Sequence, residues 1–178
     1  MLFLTISRLW HTLLNMIKGN TIDKEIISRH GVADVCVNPG TGHHSLHAAI
    51  AFNSGDVIIN FCAGTTQKFA TYLTIQTGVD EHITLEPGYL QYVNHSCSPN
   101  VFFDTSTFEL VALKAIMPGK ELCFFYPSTE WEMAQSFTCN CSIDGCLHFI
   151  KGAAYLSPEM LSKYKLTNFI LQQLKQKT

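Results

Sequence analysis

At 178 residues, with 47% hydrophobic and 15% charged side chains, the chain is long enough for one domain with a sizeable core and too apolar to be a disordered segment. A formal net charge of −2 and a pI near 6.4 leave no basic footprint, so no direct nucleic-acid contact is expected. A mildly acidic protein suits a basic peptide, but a charge this small decides little.

The first predicted element covers residues 1–20, where Leu2, Ile6, Leu9, Leu13 and Ile17 recur every three or four residues, the spacing of an amphipathic helix. A docked helix is favoured over a membrane-surface anchor. Arg8 and Lys18 interrupt or follow the apolar stretch instead of preceding it, and no small-residue cleavage site closes it, unlike a signal peptide. No apolar run approaches the roughly 20 residues of a membrane span. A cytoplasmic protein without a membrane span is the expectation.

Short strands and turns follow. DVIINF (56–61), TYLTIQ (71–76), NVFFD (100–104), FELVALKAI (108–116) and ELCFFY (121–126) are rich in β-branched and aromatic residues, with NSGD, TGVDEH, DTST and MPGKE as turn signals between them. Strands this close together predict small sheets rather than one broad one. In the tail, 157–176, Ser157 is a candidate N-cap with Pro158 at the first helical position, and apolar residues then recur at helical spacing. The fold class is mainly β with short helices, an α+β chain.

Seven cysteines in a chain without an export signal do not read as a disulfide framework. Cys36, Cys62 and Cys123 stand alone in apolar stretches and are expected in the core. Cys139, Cys141 and Cys146 instead form CNCSIDGC, a C-x-C-x4-C cluster. A structural zinc ion takes four thiolate or imidazole ligands, so this cluster needs a fourth from elsewhere. Three exposed thiols at such spacing would otherwise be an oxidation liability.

One stretch remains, YVNHSCSPN (92–100), dense in short polar and turn-forming residues around Cys97. NHSCSPN, then PGKELCFFY, then CNCSIDGC is an ordered signature that resembles the SET domain (32–127) followed by a post-SET zinc cluster (136–150). The resemblance implies a SET-type β-clip of small sheets with knot-like threading. It implies an S-adenosylmethionine-dependent protein-lysine N-methyltransferase, acting on a lysine-containing protein or peptide. It implies that Asn94 and His95 contact the cofactor, largely through backbone groups. Cys97 becomes the fourth ligand of one structural Zn²⁺, joining Cys139, Cys141 and Cys146. Tyr126 stands where the family carries its catalytic tyrosine, beside the cofactor, and Tyr72 and Phe124 resemble residues lining the lysine channel. In the family a Tyr at the Phe124 position restricts the product to fewer methyl groups, so Phe124 implies di- or trimethylation.

The departures from the family pattern are specific. Phe125 stands where Asp is common, and Asn60-Phe61 where Glu-Tyr is frequent. Where related domains carry G-x-G against the cofactor, this chain has HHS (43–45), or GTG (40–42) if an insertion intervenes. A metal site of His43, His44 and His47 is set aside because zinc already has four better ligands. The competing functional reading is a catalytically silent SET-like module that holds a peptide; a small-molecule amine methyltransferase is the third.

Overall fold

The structure, a computed structural model, describes residues 24–141 and 143–177; the predicted helix of residues 1–20 lies outside them. Frequent turn residues keep every strand short, and the described strands form small separate sheets. Strands β1 (Glu25–Arg29), β2 (Ala33–Val37) and β3 (His44–Ala48) make an antiparallel meander. A second sheet has the order β4-β10-β9, from Val57–Asn60, Glu109–Ala112 and Val101–Asp104. A third has the order β5-β7-β6, from Cys62–Gln67, Glu81–Glu86 and Thr74–Gly78. Val35, Leu46, Ile83, Phe103, Leu110 and Leu122 from these sheets and their links share one buried core.

Two further pairs are minimal. The parallel pair β8 (Asn94–His95) and β11 (Cys123–Phe124) brings the polar run against the later motif. Antiparallel β12 (Phe137–Thr138) and β13 (Phe149–Ile150) bracket the cysteine cluster. The Asn94–Asn100 region is laced into its neighbour by more than strand pairing. The Ser96 N–H donates to the Phe124 carbonyl at 3.0 Å and the Asn100 N–H to the Cys123 carbonyl at 3.0 Å. Asn100 then uses its own amide, accepting from the Cys123 N–H at 2.8 Å and donating to the Glu121 carbonyl at 2.8 Å. Asn100 can therefore be buried here because its side chain replaces ladder bonds the backbone lacks, while Ser98 stays exposed.

In the tail, α1 (Pro158–Leu161) begins as the sequence predicts, with the Ser157 hydroxyl accepting from the Met160 N–H at 3.1 Å. Helix α2 (Asn168–Lys177) follows. Leu161, Phe169 and Ile170 bury against Phe125 and Ala153 in a second core. This tail explains why Val101, Phe102 and Phe103 are all buried, where a half-covered strand would alternate. Phe103 faces the main core, while the Lys165 ammonium lies 4.5 Å from the centroid of the Phe102 ring on the other side.

Three expectations need correction. Cys62 is exposed, not core, because β5 is an edge strand with its side chains in solvent. Cys123 is only half-buried, whereas Cys36 is buried as expected. The strand predicted over 71–76 begins at Thr74, since Thr71–Leu73 forms a turn closed by the Thr71 N–H donating to the Thr74 hydroxyl at 2.9 Å.

Candidate active site

A cavity of about 580 Å³ opens between the main core and the segment leading to the cysteine cluster, a size within the ordinary range for small-molecule sites. Its floor is aromatic. The rings of Phe103 and Phe124 meet edge to face at 4.9 Å, and Phe124 and Tyr126 lie 4.7 Å apart. Phe124 is buried in the main core and Tyr126 packs against it. Tyr126 follows β11, so the β8–β11 pairing that laces Asn94 into the fold also positions this ring.

The Tyr126 phenol has the His95 backbone as a hydrogen-bond partner, which offsets only part of the effect of burial. Burial pushes its phenol up to about 12, with nearby anionic groups adding to the shift. The hydroxyl is therefore neutral at physiological pH. It can orient a neighbouring group but cannot act as a phenolate base.

On the adjacent side, Gly42, His43 and His44 line the cavity at the turn into β3. Both alternatives from the sequence thus contribute: the last glycine of GTG and the two histidines of HHS, whereas Ser45 is buried beneath. The His44 ring stacks on Tyr92 at 5.0 Å. The Asn94 side chain fixes this turn, donating to the His44 carbonyl at 3.0 Å and to Glu121 Oε1 at 3.0 Å. Burial alone would raise the Glu121 carboxyl, but the Asn94 amide and the Lys24 ammonium at 2.9 Å hold it below its usual range. Glu121 thus stays ionised and keeps Asn94 oriented.

His95 behaves differently from Asn94. Its side chain is not part of the cavity wall; its Nδ1 accepts from the Tyr126 N–H at 3.3 Å, and its Nε2 lies 3.4 Å from Cys97 Sγ. Burial lowers its pKa to about 4, so the ring is neutral. With Nδ1 accepting, Nε2 carries the proton and points it at the sulfur. One imidazole therefore ties the backbone of Tyr126 to Cys97.

Cys97, Cys139, Cys141 and Cys146 come together, all four sulfurs within 4.8 Å of one another. The separations are 3.9 Å from Cys97 to Cys139, 4.0 Å from Cys97 to Cys146, and 3.4 Å from Cys141 to Cys146. A disulfide needs about 2.05 Å. A tetrahedral zinc ion with bonds of about 2.3 Å spaces its sulfurs about 3.8 Å apart. The donor set fits one such ion. The His148 N–H donates to Cys146 Sγ at 3.4 Å, and Tyr164 of the tail donates to the Cys97 carbonyl at 3.0 Å. Among the described residues no histidine joins a metal-sized cluster; His47 instead pairs through Nδ1 with the Gly119 carbonyl at 2.9 Å.

Tyr72 sits at the rim, 82% exposed, lining the same cavity as Asn94, Phe124 and Tyr126. The residues missed at the sequence level are Glu130 and the Met133–Phe137 stretch, which supply the remaining wall. Their local sequence, STEWEMAQSF, carries no periodicity or motif that would have singled them out.

Several known proteins are similar to this chain. Methyltransferase flvH of Aspergillus flavus is 39% identical over 124 residues, which cover 68% of this chain and 69% of that protein. The histone-lysine N-methyltransferase, H3 lysine-36 specific, of Saccharomyces cerevisiae is 28% identical over 106 residues, covering 53% of this chain but only 14% of the yeast protein. The methyltransferase domain of human histone-lysine N-methyltransferase SETMAR aligns over 76% of this chain and 60% of that one, with 17% identity and a TM-score of 0.46. Residues 22–127 match the family model described as the SET domain, and with more than half of its length inside that match the chain belongs to the SET-domain family.

Proposed function

We propose that the chain is an S-adenosylmethionine-dependent protein-lysine N-methyltransferase whose wall is clipped in place by one structural Zn²⁺. The observation that carries this reading is the meeting of Tyr72, Asn94, Phe124 and Tyr126 in one cavity, from positions far apart in the chain. The names of the fungal relatives, a methyltransferase and a histone-lysine N-methyltransferase, point the same way.

The chemistry asked of the site is modest. A neutral amine nitrogen attacks the methyl carbon of the sulfonium in line. The carbon–sulfur bond breaks, sulfur keeps the electron pair, and the positive charge passes to nitrogen. No strong nucleophile has to be made; the protein must align two molecules and keep water out. Asn94 and the Gly42–His44 turn would hold the donor. The neutral Tyr126 hydroxyl would orient the amine and the methyl group, and Phe124, having no hydroxyl to retain a water, would leave room for successive methyl groups. Cys97, Cys139, Cys141 and Cys146 would bind the metal, which holds the Met133–Phe137 wall against the core.

The silent peptide-binding module keeps one observation in its favour, the two histidines at the turn where related domains carry glycines. A single experiment separates the readings. The protein is titrated calorimetrically with S-adenosylmethionine, then incubated with it and a lysine-peptide array, and products are weighed by mass spectrometry. Binding, with di- or trimethylated lysine from wild type, monomethyl product from Phe124→Tyr and roughly 100-fold less from Tyr126→Phe, is the expected outcome. No cofactor binding and no product would favour the silent module.

A further inference from the structure

Among the described residues the cavity contains a single carboxylate. Among the side chains around it only Glu130 is acidic, and none is Lys or Arg. Glu130 is 7% exposed. Its Oε1 accepts from the Gln76 N–H at 3.0 Å and from the Thr129 hydroxyl at 3.1 Å. Gln76 answers by accepting from the Trp131 N–H at 3.0 Å, so the segment carrying Glu130 is locked to β6 on both sides. Both of these hydrogen bonds fall on Oε1; Oε2 takes none among the described residues, and Glu130 lines the cavity.

A buried carboxylate with half of its accepting capacity unused is costly to fold around. Such a group is stabilised by a cation that arrives with the ligand. The aromatic floor beside it, Phe124 and Tyr126, favours the same kind of ligand through its ring faces.

We propose that Glu130 is the amine-recognition group of this cavity: it binds the incoming primary alkylammonium and takes its proton before the methyl group moves. This rests on the methyl-transfer reading of the site. In the step, one N–H bond of R–NH₃⁺ breaks and an O–H bond forms on Oε2, leaving R–NH₂ and a neutral carboxylic acid. The freed lone pair then attacks the methyl carbon as described above. The carboxyl returns its proton to water through the open rim before the next turnover. Burial pushes the Glu130 carboxyl up to about 7, offset in part by its two hydrogen bonds, so it can both accept and release a proton near neutrality. The titratable side chains sharing its cavity are His43, His44, Tyr72, Tyr92 and Tyr126.

The test uses n-butylammonium and, as neutral control, n-butanol, each titrated into the full chain saturated with S-adenosylhomocysteine. Wild type should bind the ammonium about tenfold more tightly than Glu130→Gln, an isostere that keeps an acceptor for both Oε1 hydrogen bonds. Butanol should not distinguish the two proteins. Wild-type affinity for the ammonium should weaken as pH falls from 8 to 5, in step with roughly one proton taken up by a group near 7, and the variant should show no such slope. In turnover of a lysine peptide, kcat/KM of wild type should show the same acidic limb. Equal ammonium affinity in the two proteins to within about twofold, a flat wild-type pH profile, or no ammonium binding by wild type would each overturn the assignment. The wild-type pH titration decides even if the variant fails to fold. Failure of the methyltransferase reading shows separately, as ammonium binding without methylated product.

Discussion

The two sides of the cavity are built differently. The side bearing Asn94, Phe124 and Tyr126 is laced by hydrogen bonds between the 94–100 and 121–124 segments and tied through His95 to Cys97. The facing rim rests on turns. Asn38 Oδ1 accepts from the Gly40 and Thr41 N–H groups at 2.9 and 3.3 Å, and the Leu73 N–H donates to the Thr71 hydroxyl at 3.2 Å. Long-range lacing fixes atoms that must meet at reaction distance; local turns suit a mouth that adapts to what enters. The prediction is that damage to the first side removes structure, and damage to the second changes only what binds.

Loss of the proposed Zn²⁺ should have the largest effect. Structural zinc sites contribute on the order of 10 kcal/mol. Cys139→Ser should abolish a stoichiometric zinc content, measured by elemental analysis. Hydrogen exchange should rise through 133–164 while the β2–β3 and β9–β10 strands keep their protection, because the main core contains none of the four cysteines. Uniform loss of protection would show that the two sides are one cooperative unit.

Glu130 should give the next largest effect, and its sign is unusual for a carboxylate. Its folded pKa of about 7 lies above the ordinary 4.5, so the folded state holds its proton longer than the unfolded one. Below 4.5 both states are protonated and burial of the neutral acid costs little. Stability should then fall as pH rises from 4.5 to 7, to a full cost on the order of 3 kcal/mol above that window. Denaturant unfolding of wild type against Glu130→Gln across pH 4–8 should show the variant gaining relative stability as pH rises. Parallel curves would mean that the carboxyl is not desolvated as its burial implies.

What could be read from the chain divides along similar lines. NHSCSPN and CNCSIDGC were legible because in that order they resemble a family pattern, and folding does bring their four cysteines together. Ser157-Pro158 was legible because an N-cap is a local device. Strand β5 was not: CAGTTQ on an exposed edge has neither alternation nor bulk, so Cys62 looked like core when only its neighbours were apolar. Phe125 read as a departure from the family pattern without a reason. The reason lies in the tail, where Tyr164 stacks on it at 3.7 Å with the planes 8° apart and then donates to the Cys97 carbonyl. No local pattern predicts a partner that far along the chain. Glu130 was hidden for the same reason, since only folding brings it to β6.

The smallest expected effect sharpens the comparison most. Tyr72 is 82% exposed and its ring belongs to neither core, so Tyr72→Ala should change stability by less than about 0.5 kcal/mol. At the rim, however, its ring face is available to the stem and charge of the proposed lysine substrate, an interaction of about 0.5–1 kcal/mol at an exposed site. The substitution should therefore raise KM for a peptide roughly three- to fivefold and leave kcat and cofactor affinity alone, because the contact forms as the substrate enters and does not strengthen as the methyl group moves. Steady-state kinetics with one peptide measure both quantities. A fall in kcat instead of a rise in KM would place Tyr72 against the reacting nitrogen, and the rim would then belong with the laced side of the cavity.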